Sequence, residues 1–282
     1  MGGLESRVSL ALYAASLALL VTLPLFYFLH VREYWVLLSF LGSTEFYVFI
    51  LPIVYHSLPR GEAAGLAFSL LAAAGFAGFA KDVVKLPRPP QELWLVGAEG
   101  YGFPSGHATG SSSFWGYMAL SRPAPALIGF SVMVIVGVSL SRIVLGVHYP
   151  RDVVGGIVIG FAVAALSLYL ASRVGWRLAL AGIPVSLAFL ALSLLGYGVF
   201  SAPSTLLGFS LAELLLERVK LRDSPGALYG ALGSMAAAPF AIVASKSGIL
   251  IVEVSFFALA GFLAVAVPRY VKLSIPFRGK LG

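Results

Sequence analysis

The sequence is a succession of apolar runs, each close to the length of a bilayer-spanning helix and separated by short polar links. The runs fall at residues 8–29, 35–55, 63–84, 105–120, 126–145, 150–171, 178–195, 199–216, 227–244 and 249–267. A hydrocarbon core of about 30 Å needs about 20 apolar residues per helix. Such a pattern leaves one expectation: an all-α fold, a polytopic transmembrane helix bundle. The first run is too long for the apolar region of a signal peptide and lacks a small-residue cleavage site, so it reads as a retained span.

Composition excludes a soluble domain. Charged residues make up 11% of the chain and hydrophobic residues 59%, against about 25% charged in soluble domains, and mean hydropathy is +0.95. The net charge of +7 fits cytoplasmic loop anchoring and anionic headgroups. No basic helix with interleaved aromatics points to nucleic acid. There is no cysteine, hence no disulfide framework, thiol nucleophile or thiolate metal site. The chain also lacks asparagine and holds one glutamine, Gln91, a depletion of thermolabile amides that suggests a thermophilic source. The run 63–84 is rich in Ala and Gly, which let helix backbones approach closely, so it is expected at the centre of the bundle. It ends where Pro87, Pro89 and Pro90 forbid continuation.

Charged and polar groups cluster where apolar runs begin and end, and such groups are costly beside a bilayer. Three clusters stand out: Lys81-x6-Arg88-Pro89, Pro104-Ser105-Gly106-His107, and Ser141-Arg142-x5-His148-x3-Asp152. Ser105 reads as a helix N-cap, with Gly106 and His107 in the first turn. Free N–H groups there, at the positive end of the helix dipole, form an anion site, and Gly106 allows close backbone approach. Lys81, Arg88 and Arg142 add cationic donors from two other segments, a set that suits a phosphoryl group better than a carboxylate. Asp152, four residues after His148, can accept from one imidazole nitrogen and leave the other free as a nucleophile. His107 has no such acid nearby and is better placed to give a proton to a leaving oxygen. Elsewhere, His30 and His56 read as membrane-interface residues. Glu45, Glu213 and Glu253 lie in or near apolar runs, with Glu213 the strongest candidate among them for a further role.

These motifs, with their order and spacing, resemble the signatures of the type 2 phosphatidic acid phosphatase family of membrane lipid phosphate phosphatases. In motif terms the resemblance covers about residues 63–171; the family's six-helix core extends it back to the first run. It implies a six-helix phosphatase core at 1–172 and about four additional C-terminal transmembrane helices at 173–282, on which it is silent. It implies His148 as nucleophile, Asp152 as its partner and His107 as general acid. Lys81, Arg88, Ser105, Gly106 and Arg142 would hold the phosphate, with no metal and no cofactor, because the cations do the neutralising that Mg2+ does elsewhere. The expected activity is hydrolysis of a lipid phosphate or polyprenyl (di)phosphate through a phosphohistidine. Other readings are a glucose-6-phosphatase-like hydrolase of a soluble sugar phosphate, a lipid phosphotransferase, and a transporter or structural membrane protein with a degenerate site. The expected partner is a membrane lipid substrate in the cell membrane.

Charge also orients the bundle. Ten crossings put both termini on one side, with twelve of the 19 Lys and Arg residues; four lie opposite, beside the motif cations Lys81, Arg88 and Arg142. Basic loops stay cytoplasmic, so the termini are expected in the cytoplasm and the motifs facing outward. In this cysteine-free chain, Gly97→Cys is expected to react with a membrane-impermeant maleimide on intact cells and Arg122→Cys only after permeabilisation. The reverse pattern rejects the orientation.

Overall fold

The computed structural model describes residues 2–217 and 225–274, and among them the regular structure is helical throughout. In chain order the helices are α1 (Gly2–Phe28), α2 (Arg32–Phe40), α3 (Thr44–Tyr55), α4 (Arg60–Val84), α5 (Gly106–Ser121), α6 (Pro125–Val144), α7 (Pro150–Val174), α8 (Leu178–Leu194), α9 (Ser201–Leu215), α10 (Ala227–Ser247) and α11 (Leu250–Ser274). Six helical runs are long and apolar enough to cross a bilayer, or seven with α2 and α3 as one bent span. In that count residues 150–194 form a single run, yet the packing shows a hairpin. Ala171 of α7 and Gly175 just beyond its end lie against Gly65 and Gly61 of α4, whereas Phe189 of α8 lies against Gly75. Thus α7 descends along α4 and α8 climbs back beside it. Among the described residues the chain is a multi-pass bundle of ten legs in alternating directions, with α2 and α3 forming one leg.

One expected helix is broken. Residues 35–55 form two helices that meet at 46° across Leu41, Gly42 and Ser43. The Ser43 side chain caps α3 by accepting from Phe46 N–H at 3.2 Å, which offers the backbone a helix start inside an apolar run. At the break a Cβ on Gly42 would meet Val138 Cγ1 at 2.5 Å and His107 at 3.2 Å. The glycine lets the kink pass beside His107.

Helix α4 is the axis of the bundle, as its small residues led us to expect: every residue from Ala63 to Ala73 is buried. Beside it α5 and α7 run parallel at backbone distance. A Cβ on Gly156 of α7 would meet Ser105 O at 2.7 Å, and one on Gly160 would overlap Thr109 O. Lipid tails are as apolar as leucine, so helices associate here through such close packing and polar bonds and not through the hydrophobic effect. Ser69 Oγ and Ser113 Oγ supply one of those bonds at 2.7 Å between α4 and α5.

The later helices pack on α3, α4 and one another. Their bond to the earlier ones is a buried ionic clasp on the bundle end away from the motifs. Glu213 of α9, with no exposed surface, accepts from Arg60 Nη2 at 2.7 Å and Nε at 3.0 Å and also bonds Arg269 and Tyr55. Arg269, counted above with the cytoplasmic loop charges, is instead buried within α11. His56 is likewise not at an interface with the membrane surface. It is 1% exposed, because α10 and α11 cover it, and its Nε2 lies 2.9 Å from Ala264 O. Five further charges of that count, Arg218, Lys220, Arg222, Arg278 and Lys280, lie outside the described residues.

Removing one partner of a buried ion pair costs about 3–5 kcal/mol because the other charge stays buried and unpaired. Glu213→Ala is therefore expected to lower the thermal stability of the detergent-solubilised protein strongly. Adding Arg269→Met to it should restore part of the loss, as read by fluorescence-detected size exclusion after heating. Equal stability of Glu213→Ala and the parent chain refutes the clasp.

Candidate active site

All three sequence clusters meet at one end of the bundle. Helix α4 ends at Lys85, whose left-handed conformation (φ 52°) turns the chain out into residues 86–104. That loop folds back over the motifs. Its carbonyls hold two cations: Lys81 Nζ donates to Tyr101 O at 2.8 Å, and Arg88 donates to Gly100 O at 3.0 Å and Glu99 O at 2.7 Å. Leu95 N–H donates to Leu145 O at 3.0 Å, which pins the loop to the end of α6. Ser105 then starts α5, and its N–H donates to Asp152 O at 2.9 Å. The first turns of α5 and α7 are thereby fixed side by side. No room remains between loop and carboxylate, since a Cβ on Gly102 would lie 2.8 Å from Asp152 Oδ2.

The histidine pair has a defined tautomer. Arg88 Nη1 lies 3.0 Å from His148 Nε2. A guanidinium only donates, so Nε2 carries the lone pair and Nδ1 the proton. Nδ1 points at Asp152 Oδ2, 3.4 Å away, and the same oxygen accepts from Tyr149 N–H at 2.9 Å. Pro150 at the start of α7 gives up an N–H that the helix does not need there.

Electrostatics hold the imidazole neutral. His148 is 4% exposed, and its pKa is pushed down to about 2, first by burial and then by Arg88, Lys81, Arg142 and His107. Burial also lowers Arg88. The site thus gathers the three cations Lys81, Arg88 and Arg142 around a single buried carboxylate, Asp152. Arg142 Nη1 donates to Ser39 Oγ at 2.5 Å, while its Nε, like the buried Ser105 Oγ, has no hydrogen-bond partner. Ser105 does occupy the N-cap position expected of it, but its hydroxyl does not cap the helix. Unpaired buried donors are costly. Gly106 has open space where a Cβ would stand.

All eight site residues expected from the sequence are therefore brought together. Sequence reasoning missed Ser39, an ordinary serine in an apolar run, and the Gly42 break that passes beside His107. The Leu41-Gly42-Ser43 triplet was the available signal for the break. Next to the third motif's acid, Arg151 stacks on Tyr149, 4.8 Å to the ring centroid, with Nε 3.7 Å from Asp152 Oδ1. His30 is exposed and distant in contact, lying against Phe28 O.

Comparison with known proteins gives the same region. The family model described as the PAP2 superfamily matches residues 62–176. Phosphatidylglycerophosphatase B of Escherichia coli is 34% identical over 124 residues, which is 43% of this chain and 44% of the relative. Decaprenylphosphoryl-5-phosphoribose phosphatase of Mycobacterium tuberculosis is 30% identical over 137 residues, covering 47% of this chain and 68% of the relative. The match thus spans less than half of the length of the Escherichia coli protein. Among solved structures, a transmembrane PAP2-type phosphatidylglycerolphosphate phosphatase from Bacillus subtilis aligns with a TM-score of 0.45 and 23% identity, over 60% of this chain and 88% of that one.

A free histidine titrates near 6.5, whereas burial and neighbouring cations here favour the neutral ring. In 15N-histidine-labelled protein, the His148 signals are expected to keep the Nδ1–H tautomer and show no titration from about pH 8 to about pH 4. Arg88→Leu removes the nearest positive charge and should move the titration upward. A parent-protein midpoint near 6.5 contradicts the geometry.

Proposed function

Because the chain belongs to the PAP2 superfamily, we propose that it is a membrane phosphatase acting on a lipid phosphate or a polyprenyl (di)phosphate through a phosphohistidine. The observation that carries this reading is the single lone pair of His148 Nε2, fixed by Asp152 on one side and met by Arg88 on the other. In the reaction Arg88 turns from Nε2 to a phosphoryl oxygen. Lys81, Arg142, the Ser105 hydroxyl and the free N–H groups at Gly106 take the remaining oxygens. Nε2 attacks phosphorus in line and the ester P–O bond breaks. Protonated His107 gives its proton to the leaving oxygen, so the lipid departs as an alcohol, or as a monophosphate from a diphosphate. Water then attacks the phosphohistidine, His107 takes the proton of that water, and the P–N bond breaks to release phosphate. Asp152 balances the positive charge on the imidazole while phosphorus is attached.

The cations that neutralise the phosphoryl group belong to the chain itself, so the reading includes no metal and no cofactor. Residues 1–172 form the catalytic core in this proposal and residues 173–282 an extension. Both termini lie in the cytoplasm and the site faces outward, where a lipid carrier would be dephosphorylated after delivering its cargo. The site lies at one end of the helices, and in this proposal the headgroup of a bilayer lipid reaches it without leaving the membrane, which favours a lipid ester over a soluble sugar phosphate.

His148→Ala is expected to abolish both phosphate release and the acid-labile phosphoenzyme. His107→Ala should slow phosphoenzyme formation by about 10²–10⁴, the usual worth of a general acid, and least for esters with good leaving groups. Normal turnover by His148→Ala sinks the assignment.

Activity is expected to survive EDTA and to be inhibited by orthovanadate, which mimics the pentacoordinate phosphorus. Loss in EDTA with recovery in Mg2+ overturns the metal-free mechanism, and a higher kcat/KM for glucose 6-phosphate than for any lipid phosphate overturns the substrate class.

A further inference from the structure

A cavity of about 320 Å³ begins at the site and runs into the bundle. Its charged lining is confined to one end, at Lys81 of α4 and His107 of α5, with Gly106 beside His107. From there it follows α4 past Gly78, Ala77, Ala74 and Leu70. The eleven steps from Leu70 to Lys81 correspond to about 16 Å of helix at 1.5 Å per residue. The near wall is α3, through Tyr47, Val48 and Leu51. The opposite wall comes from the later helices: Thr205 of α9, Ala237 and Ala241 of α10, and Phe257 and Ala260 of α11.

This far wall is built and held. A Cβ on Gly208 would overlap Ala258 O, and one on Gly261 would overlap Thr205 O, so α9 and α11 touch backbone to backbone. The Glu213 clasp ties both to Arg60 of α4. Ala237, Ala241 and Ala260 are each buried yet face the cavity, and a larger side chain at any of them would fill it.

A charged end continuous with an apolar shaft is the shape of an amphiphile. We propose that the C-terminal helices α9–α11 form the far wall of a chamber that binds the apolar chain of the phosphate ester whose head is handled at His148. The proposal rests on the phosphatase reading above for its occupant. Its volume lies at the lower end of the range of about 300–1,000 Å³ for small-molecule pockets, which suits one slender chain. The chamber selects esters by their tails, and the phosphate-holding residues do not.

Two measurements on the full chain in detergent test it. In the first, Ala241→Leu and Ala260→Phe are compared with the parent for the ratio of kcat/KM on a tailed ester to that on tail-free para-nitrophenyl phosphate. The tailed esters are a polyprenyl phosphate and phosphatidate, which distinguish a branched isoprenoid from straight acyl chains. The ratio is expected to fall about tenfold or more for the preferred tail, on the scale of about 10–200-fold that a single methylene commands in an apolar pocket. An unchanged ratio in both variants overturns the chamber. In the second, a lipid phosphate with a diazirine near the end of its tail is photolysed with the parent protein and the labelled peptides are sequenced. Label on α10 and α11 near Ala241 and Ala260, competed by unlabelled lipid phosphate, supports the proposal whether or not the variants fold. Label confined to α1 and α6, or equal label from the same tail on an alcohol without phosphate, overturns it. If the parent releases no phosphate from any ester while the competed label remains, the catalytic reading falls and the chamber stands.

Discussion

Everything at the site depends on how closely α5 and α7 approach. Gly156 and Gly160 bring α7 onto the backbone of α5, and the bond from Ser105 N–H to Asp152 O at 2.9 Å sets the two first turns level. One helix start offers free N–H groups beside His107, and the other holds Asp152 under His148. Neither alone brings free N–H groups and the His148 imidazole together. Since hydrocarbon exerts no hydrophobic force between helices, this alignment rests on small residues and a few polar bonds. A single Cβ at position 160 would separate the two halves of the chemistry.

The bundle carries charge at both ends and treats it in opposite ways. At the clasp the two oxygens of Glu213 meet two arginines and a tyrosine, and that arrangement is structurally complete. At the motif end three cations face one buried carboxylate, and Arg142 Nε and Ser105 Oγ remain without partners. A satisfied buried pair adds little to stability but is costly to break. An electropositive cluster with unpaired donors is instead poised for an anion. The contrast separates Glu213, whose two oxygens are engaged, from Asp152, which stands among surplus cations, although both lie in apolar helices and look alike in sequence.

Much of this could be read from the sequence because its physical cause is local. Apolar runs report helices directly, and the Ala/Gly-rich run led to the central place of α4. Lys81, Arg88, Ser105, Gly106, His107, Arg142, His148 and Asp152 were legible because each departs from its apolar surroundings at a helix end. What was hidden is what depends on partners distant in sequence. Ser39 matters through Arg142, which lies 103 residues later. His56 looked like a surface histidine until α10 and α11 covered it, and Arg269 looked like a loop anchor until Glu213 drew it inside. The kink at Gly42 lies between these cases: the Gly-Ser pair is visible, but an apolar run hides whether it breaks the helix.

The cavity wall has a consequence for how such a protein can diversify. In the proposed reading the residues that touch phosphorus come from α4 to α7 and the links between them, whereas the alanines across the shaft come from α10 and α11. Drift in those later helices can reshape the shaft without disturbing a proton or a charge at His148. On that reading specificity and chemistry are inherited on separate stretches of chain, and a new tail preference can arise from a few methyl groups while the reaction stays the same.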